Sequence, residues 1–350
     1  MSGGAFAKLR GDQPSAATVR ALTQIWQRVL QRFPIKSNDR FYDVGGTDEL
    51  ADKTFEEVAR VFNRRLPAAT ICYAPTISSL ASMLEEPILP RFSPFVALKS
   101  GSKNPPILIA PGVGGRASFT ELAKHMSTNH PIYGMQAKGV DGMEEPFERI
   151  EDIARYYLDA LPEVQPEGPY ILIGYSFGGL VALEMAQRLF VSQKQIALLV
   201  LADSYPHARF LPLKERLLLE TRRMPGRLTD FIKTRAGGVV GSSKAQRHID
   251  EDEQGTFRSD RLGFAATTAH VKKSDFRALE RYRPRFYPGK VHFVRPETGS
   301  YLPSNPVAIW KNLAAELVVE TVPGDHLSMV ATHFESLAEV LSRYVREALP

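Results

Sequence analysis

From residue 107 onward short apolar runs alternate with longer periodic ones, and this alternation limits the fold more than any other feature of the sequence. Ile107–Ala110, Ile132–Gln136, Tyr170–Ile173 and Ile196–Ala202 read as buried strands. Phe119–Met126, Ile150–Leu161 and Leu180–Leu189 lie between them and read as helices. Strands buried on both faces and joined by helical crossovers make a parallel sheet with helices on either side, so the expected class is α/β. The rhythm breaks over residues 208–285, where basic helical stretches (Leu211–Arg223 and Arg227–Arg235) precede a polar segment from Gly237 to Gly255. An insertion of that length and texture reads as a lid. The alternation resumes with a strand at Val291–Val294, a helix at Val307–Ala315, a strand at Leu317–Val322 and a closing helix at Phe334–Arg346.

The first 86 residues have helical periodicity instead. Val19, Leu22, Ile25, Trp26, Val29 and Leu30 fall on one helix face that stops near Pro34. Phe55, Val58, Ala59 and Phe62 mark a second helix, ended by Pro67, and Pro75-Thr76 opens a short last one through Leu84. Residues 87–104 crowd Pro, Gly and Ser together as linkers do. A chain of 350 residues is long enough for one large domain and one small one, which sets the expected boundaries at 1–86, 87–104 and 105–350. With 43% hydrophobic and 24% charged residues, neither a disordered nor a fibrous class fits. A single cysteine, Cys72, permits no internal disulfide and no thiolate cluster for a structural metal, which points to a reducing compartment. Residues 1–16 contain no apolar signal-peptide core, and no run approaches about 18 apolar residues. A cytoplasmic protein with no membrane partner is expected.

One pentapeptide inside the alternation carries chemistry. Gly174-Tyr175-Ser176-Phe177-Gly178 fits G-x-S-x-G, with the strand Tyr170–Ile173 leading in and the helix from Leu180 leading out. That strand-turn-helix setting is the nucleophile elbow of an α/β-hydrolase, and it marks Ser176 as a nucleophile. The competing role is a serine that only caps the helix. A serine hydroxyl needs a base within reach and an acid to orient that base, and this fold supplies them in the order Ser, acid, His. The strand Ile196–Ala202 ends in Asp203, the expected acid, whose alternative role is to cap the turn Ser204-Tyr205-Pro206. Of eight histidines, His326 follows a late strand through Val322-Pro323-Gly324-Asp325 and precedes the last helix, where the base belongs. His207, close to Asp203 in sequence, is its main competitor. His248, His270, His292 and His333 fall in the lid, in strands or on a helix. Backbone N–H groups would hold an oxyanion: one from Phe177, the other from Pro111-Gly112-Val113-Gly114-Gly115, at Val113. The glycine-rich loop lacks the G-x-G-x-x-G and Lys-Ser/Thr patterns of phosphate cradles.

Pro111–Gly115, Gly139-Val140-Asp141-Gly142, Gly168-Pro169-Tyr170, Gly174–Gly179 and Ala202-Asp203-Ser204 together resemble the terminal thioesterase domains of nonribosomal peptide and polyketide synthases, over residues 105–350. The resemblance implies an α/β-hydrolase with a helical lid, and an acyl-enzyme drawn from a carrier-bound or coenzyme A thioester, then released to water or to an internal nucleophile. Ser176, Asp203 and His326 match that family's triad, and Val113 and Phe177 its oxyanion hole. An esterase or amide-forming enzyme with the same triad, and a non-catalytic docking module, are the alternatives.

The first 86 residues resemble the four-helix carrier domains that precede such thioesterases, through Phe41–Gly46, Arg65-Leu66-Pro67 and Ala74-Pro75-Thr76-Ile77. Those carriers read Leu-Gly-Gly-Asp-Ser-Leu, with phosphopantetheine on the serine. This chain reads Val44-Gly45-Gly46-Thr47-Asp48-Glu49, with Asp48 at the serine position. A carboxylate has no hydroxyl to attack coenzyme A. The expectation is therefore a carrier that is not loaded, no cofactor of the chain's own, and an acyl group arriving on a partner carrier's phosphopantetheine, from an upstream synthase or on coenzyme A. Residues 207–290 hold 19 Lys or Arg against 10 Asp or Glu, while the whole chain carries +5. No aromatic residues are interleaved as in nucleic-acid readers, so an acidic carrier or a phosphate-bearing ligand is the expected partner, and a solvated surface the alternative.

Overall fold

The computed structural model describes residues 14–64, 66, 68–72, 74–86, 93–115, 119–211, 213–214, 216–217, 264–300 and 305–349. Most of the expected lid lies outside the described residues, including Arg227–Arg235 and Gly237–Gly255.

The N-terminal unit begins with α1 (Ala16–Leu30), capped by the Ser15 hydroxyl accepting the Thr18 N–H, and continues with α2 (Asp48–Phe62), where Thr47 Oγ1 accepts the Leu50 N–H. A 3-10 turn (Ala68–Cys72) and α3 (Ile77–Glu85) complete it, α3 opening on a reciprocal Thr76/Ser79 capping box. Among the described residues the unit thus has three α-helices and a 3-10 turn, where four helices were expected. Its core gathers Leu22, Ile25, Trp26, Phe41, Val58 and Leu80, with Trp26 and Phe41 edge to face at 5.0 Å. Val140, from the loop after the third strand of the second unit, is buried in the same cluster.

Among the described residues, and apart from two 3-10 turns, the second unit has β1 (Phe95–Lys99), β2 (Ile107–Ala110), α4 (Thr120–His125), β3 (Ile132–Met135), α5 (Ile150–Ala160), β4 (Tyr170–Tyr175), α6 (Phe177–Val191), β5 (Ile196–Ala202), α7 (Phe264–Arg281), β6 (Tyr287–Pro296), α8 (Pro306–Trp310), β7 (Ala314–Val322), α9 (Ser328–Ala331) and α10 (Phe334–Ala348). Among the described residues seven strands form one sheet in the order β1-β3-β2-β4-β5-β6-β7, in which β1 and β3 pair antiparallel and the other neighbours pair parallel. Strand alternation sorts the side chains into two cores. Leu108, Leu172, Leu199, Leu201 and Phe293 face α5, α6 and α7, while Ile109, Ile171, Ile173, Val200 and Val294 face α4 and α10.

Two expectations are corrected. The stretch read as linker contains β1, because Phe95–Ala97 pair with Met135–Tyr133 along the sheet edge. The single helix expected at Val307–Ala315 is α8 followed by the start of β7, and Ala314 pairs with Tyr287. Among the described residues no helix is long and apolar enough to cross a membrane.

Candidate active site

The elbow is set by the backbone. Ser176 sits between β4 and α6 at φ 54° and ψ −122°, a sparsely populated conformation that persists only when its surroundings enforce it. They do so on both sides. A Cβ on Gly174 would lie 2.3 Å from Gly178 O, and one on Gly178 would lie 2.3 Å from Pro111 O. The Ser176 N–H donates to Ala202 O at 2.8 Å, tying the elbow to the end of β5. The Ser176 hydroxyl makes no cap to α6, so the capping role weighed for it is not the one it plays. We expect Gly178→Ala to destabilise the protein by about 2 kcal/mol or more, because the clash is with fixed backbone rather than a movable side chain. Urea unfolding of the purified variant checks this, and an unchanged midpoint would contradict it.

Asp203 follows β5 directly, 1% exposed and at φ 41°, with its N–H donating to Val294 O. Its Oδ2 lies 2.6 Å from His326 Nδ1, and its Oδ1 accepts a hydrogen bond from the Ser300 hydroxyl. An ionised carboxylate only accepts, so this contact places the imidazole proton on Nδ1 and leaves Nε2 as the basic nitrogen. His326 is held by its own loop. Gly324 turns the chain at φ 96°, the Asp325 carboxylate accepts the Leu327 and Ser328 N–H groups, and the Ser328 hydroxyl accepts the Asp325 N–H. Those donors hold the Asp325 carboxyl below the usual carboxylate range. The Tyr175 hydroxyl donates to His326 O at 2.5 Å, and its ring stacks on the imidazole at 5.0 Å between centroids. Burial, with the charges of Asp203 and Asp325, raises the Tyr175 phenol and keeps it a donor.

Asp203 and His326 therefore meet at the carboxyl ends of β5 and β7, and Ser176 stands at the carboxyl end of the neighbouring β4, its N–H bonded to Ala202 O, the residue before Asp203. Val113 and Phe177 frame the same edge, Phe177 as the first residue of α6 and Val113 in the turn after β2. That turn is shaped by Gly114 at φ 94° and Gly115 at φ 66°, where a Cβ on Gly115 would lie 2.2 Å from Ala137 Cβ. The competing histidines are engaged elsewhere. His207 Nδ1 accepts the Arg209 N–H in a 3-10 turn, His270 meets Glu145 at 3.0 Å, and His292 packs on Tyr344. Burial lowers the His292 pKa. His248 lies outside the described residues.

Two contributors were not anticipated from sequence. Tyr175 stands inside the elbow motif, where its position offered a signal. Ser300 is 97 residues from Asp203 in a loop without a motif, and offered none.

The family model of the thioesterase domain matches residues 105–344. A dimodular nonribosomal peptide synthase of Bacillus subtilis (strain 168) is 32% identical over 211 residues, which are 60% of this chain and 9% of that protein. The chain thus spans a small part of that relative. Among solved structures, a four-domain nonribosomal peptide synthetase bound to AMP and glycine aligns with 97% of this chain and 26% of its own, at TM-score 0.55 and 20% identity. The NocB thioesterase domain, in covalent complex with a fluorophosphonate nocardicin G analog, aligns with 71% of this chain and 96% of its own, at TM-score 0.50 and 23% identity. At these identities the structural likeness establishes the α/β-hydrolase fold.

Proposed function

The chain belongs to the thioesterase domain family, and we propose that it is a serine-dependent thioesterase with Ser176 as nucleophile, His326 as base and Asp203 as the acid that orients the base. The observation that carries this reading is the 2.6 Å His326 Nδ1–Asp203 Oδ2 contact, formed across 123 residues of sequence beside the Ser176 elbow. His326 Nε2 takes the Ser176 hydroxyl proton as Oγ attacks the thioester carbonyl. The oxyanion is held by the Phe177 N–H, at the positive end of α6, and by the Val113 N–H. His326 returns the proton to the leaving thiolate, and an acyl-Ser176 ester remains. Water, or a nucleophile within the acyl chain, then attacks that ester with His326 again as base.

The acyl group comes from a thioester on a partner carrier's phosphopantetheine or on coenzyme A, in natural-product assembly. The similarity to peptide synthetases supports that substrate class. The chain's own helical unit does not serve as the donor: Asp48 begins α2 at the serine position, and Thr47, one residue before it, caps the helix through its hydroxyl. Incubation with coenzyme A and a broad-specificity phosphopantetheinyl transferase is expected to leave the mass of residues 1–86 unchanged. A phosphopantetheine adduct there would refute this.

Several cations of residues 207–290 already have partners within the chain, which lessens their weight as a carrier-docking surface. Arg277 and Arg281 meet Glu148, Arg285 meets Glu184 and Lys290 meets Glu316. A panel of acyl-coenzyme A and acyl-N-acetylcysteamine thioesters against matched oxygen esters tests the reaction class. Preference for thioesters is the expected result, and turnover of oxygen esters alone would make the chain an esterase.

A further inference from the structure

α7 touches the turn that carries Val113. Thr268, Val271 and Asp275 stand at i, i+3 and i+7 on one face of this helix. A Cβ on Gly114 would lie 3.7 Å from Thr268 Cγ2, and one on Gly115 would lie 3.2 Å from Val271 Cγ1, so that face lies directly over the glycines. One turn further on, Asp275 Oδ2 accepts the Gly114 N–H at 2.9 Å, a contact made across 161 residues of sequence. Asp275 is 2% exposed. Burial pushes its pKa up to about 7, with the Gly114 hydrogen bond acting in the opposite direction. On its other side α7 is fastened to the segment before α5: His270 meets Glu145, and Arg277 and Arg281 both meet Glu148. A buried acid is costly unless it is hydrogen-bonded, and here it is aimed at a backbone N–H of a glycine-rich turn.

We propose that Asp275 is a positioning residue for the oxyanion hole: by accepting the Gly114 N–H it fixes the Val113–Gly114 peptide plane, and so restrains the turn that orients the preceding Gly112–Val113 peptide, which carries the Val113 N–H. This rests on the reading in which Val113 donates to the oxyanion. Asp275 touches no substrate and acts through the turn. Through it, the seating of α7 on Glu145 and Glu148 is coupled to the geometry at Ser176.

The test uses the full chain, octanoyl-coenzyme A as substrate and an alkylboronic acid as a probe that forms a tetrahedral adduct on Ser176. Removing an oxyanion donor costs roughly 10²–10³ in kcat, and displacing one costs less, so Asp275→Ala is expected to lower kcat about ten- to hundredfold with KM within about twofold. The inhibition constant of the boronic acid rises by a similar factor. Asp275→Asn keeps an acceptor oxygen in place and restores kcat to within about threefold of wild type, as a positioning role requires. Should Asp275→Ala not fold, Asp275→Leu fills the same space without the buried acid and is read in the same way. A folded Asp275→Ala or Asp275→Leu variant with wild-type kcat would overturn the inference, as would a loss of kcat with unchanged boronate affinity, or an Asp275→Asn variant no better than Asp275→Ala. A wild-type protein that hydrolyses no thioester and takes up no fluorophosphonate would overturn the thioesterase reading itself, and this inference with it.

Discussion

Ser176→Ala is expected to lower kcat/KM for thioester hydrolysis by roughly 10⁴- to 10⁶-fold, the scale on which removal of a serine nucleophile acts when its oxyanion hole is left intact. The fold should survive. The Ser176 hydroxyl makes no cap to α6 and its N–H bond to Ala202 O is retained in the variant, so the melting temperature should stay within a few degrees of wild type. Thioester turnover followed by thiol release, together with a melting curve, separates lost chemistry from lost structure. The double variant with His326→Ala should be scarcely worse than either single one, because nucleophile and base act as one unit.

Asp203→Asn should reduce kcat by about 10⁴-fold. The carboxylate fixes the imidazole tautomer by accepting from Nδ1. An amide turned to donate its NH2 to Nδ1 would place the proton on Nε2 and remove the base. Ser300 sharpens this expectation, because its hydroxyl already donates to Oδ1 and limits how the substituted amide can turn. Steady-state kinetics should show the loss in kcat with little change in KM. A variant within tenfold of wild type would mean that His326 is oriented by other contacts, of which the Tyr175 hydroxyl bond and ring stack are the nearest.

Much of this site was legible in the sequence because it is dictated by backbone geometry. Only glycine fits at 174 and 178, and a serine between a buried strand and a helix at that spacing has few alternatives. Asp203 and His326 were legible from chain order and from their places at strand ends. Elements with weaker signatures were misread. Phe95–Lys99 is a five-residue edge strand among prolines and glycines, and its pairing with β3 exists only in the tertiary structure. Residues 307–315 form a mostly apolar segment, interrupted by Lys311-Asn312 and too short for periodicity to separate helix from strand, and Ala314 is a strand residue because Tyr287 lies beside it. The helix after the elbow begins at Phe177 rather than Leu180 because packing between the sheet and α5 outweighs the poor helix propensity of Gly178 and Gly179. Ser300 and Asp275 act on partners 97 and 161 residues away, a distance no local pattern spans.

The account stands most directly on whether Ser176 is the nucleophile. Treating the full chain with a fluorophosphonate and mapping the adduct by mass spectrometry should give one modification on Ser176 in wild type and none in Ser176→Ala. A wild-type protein that remains unmodified, or that carries the adduct on another residue, would contradict it.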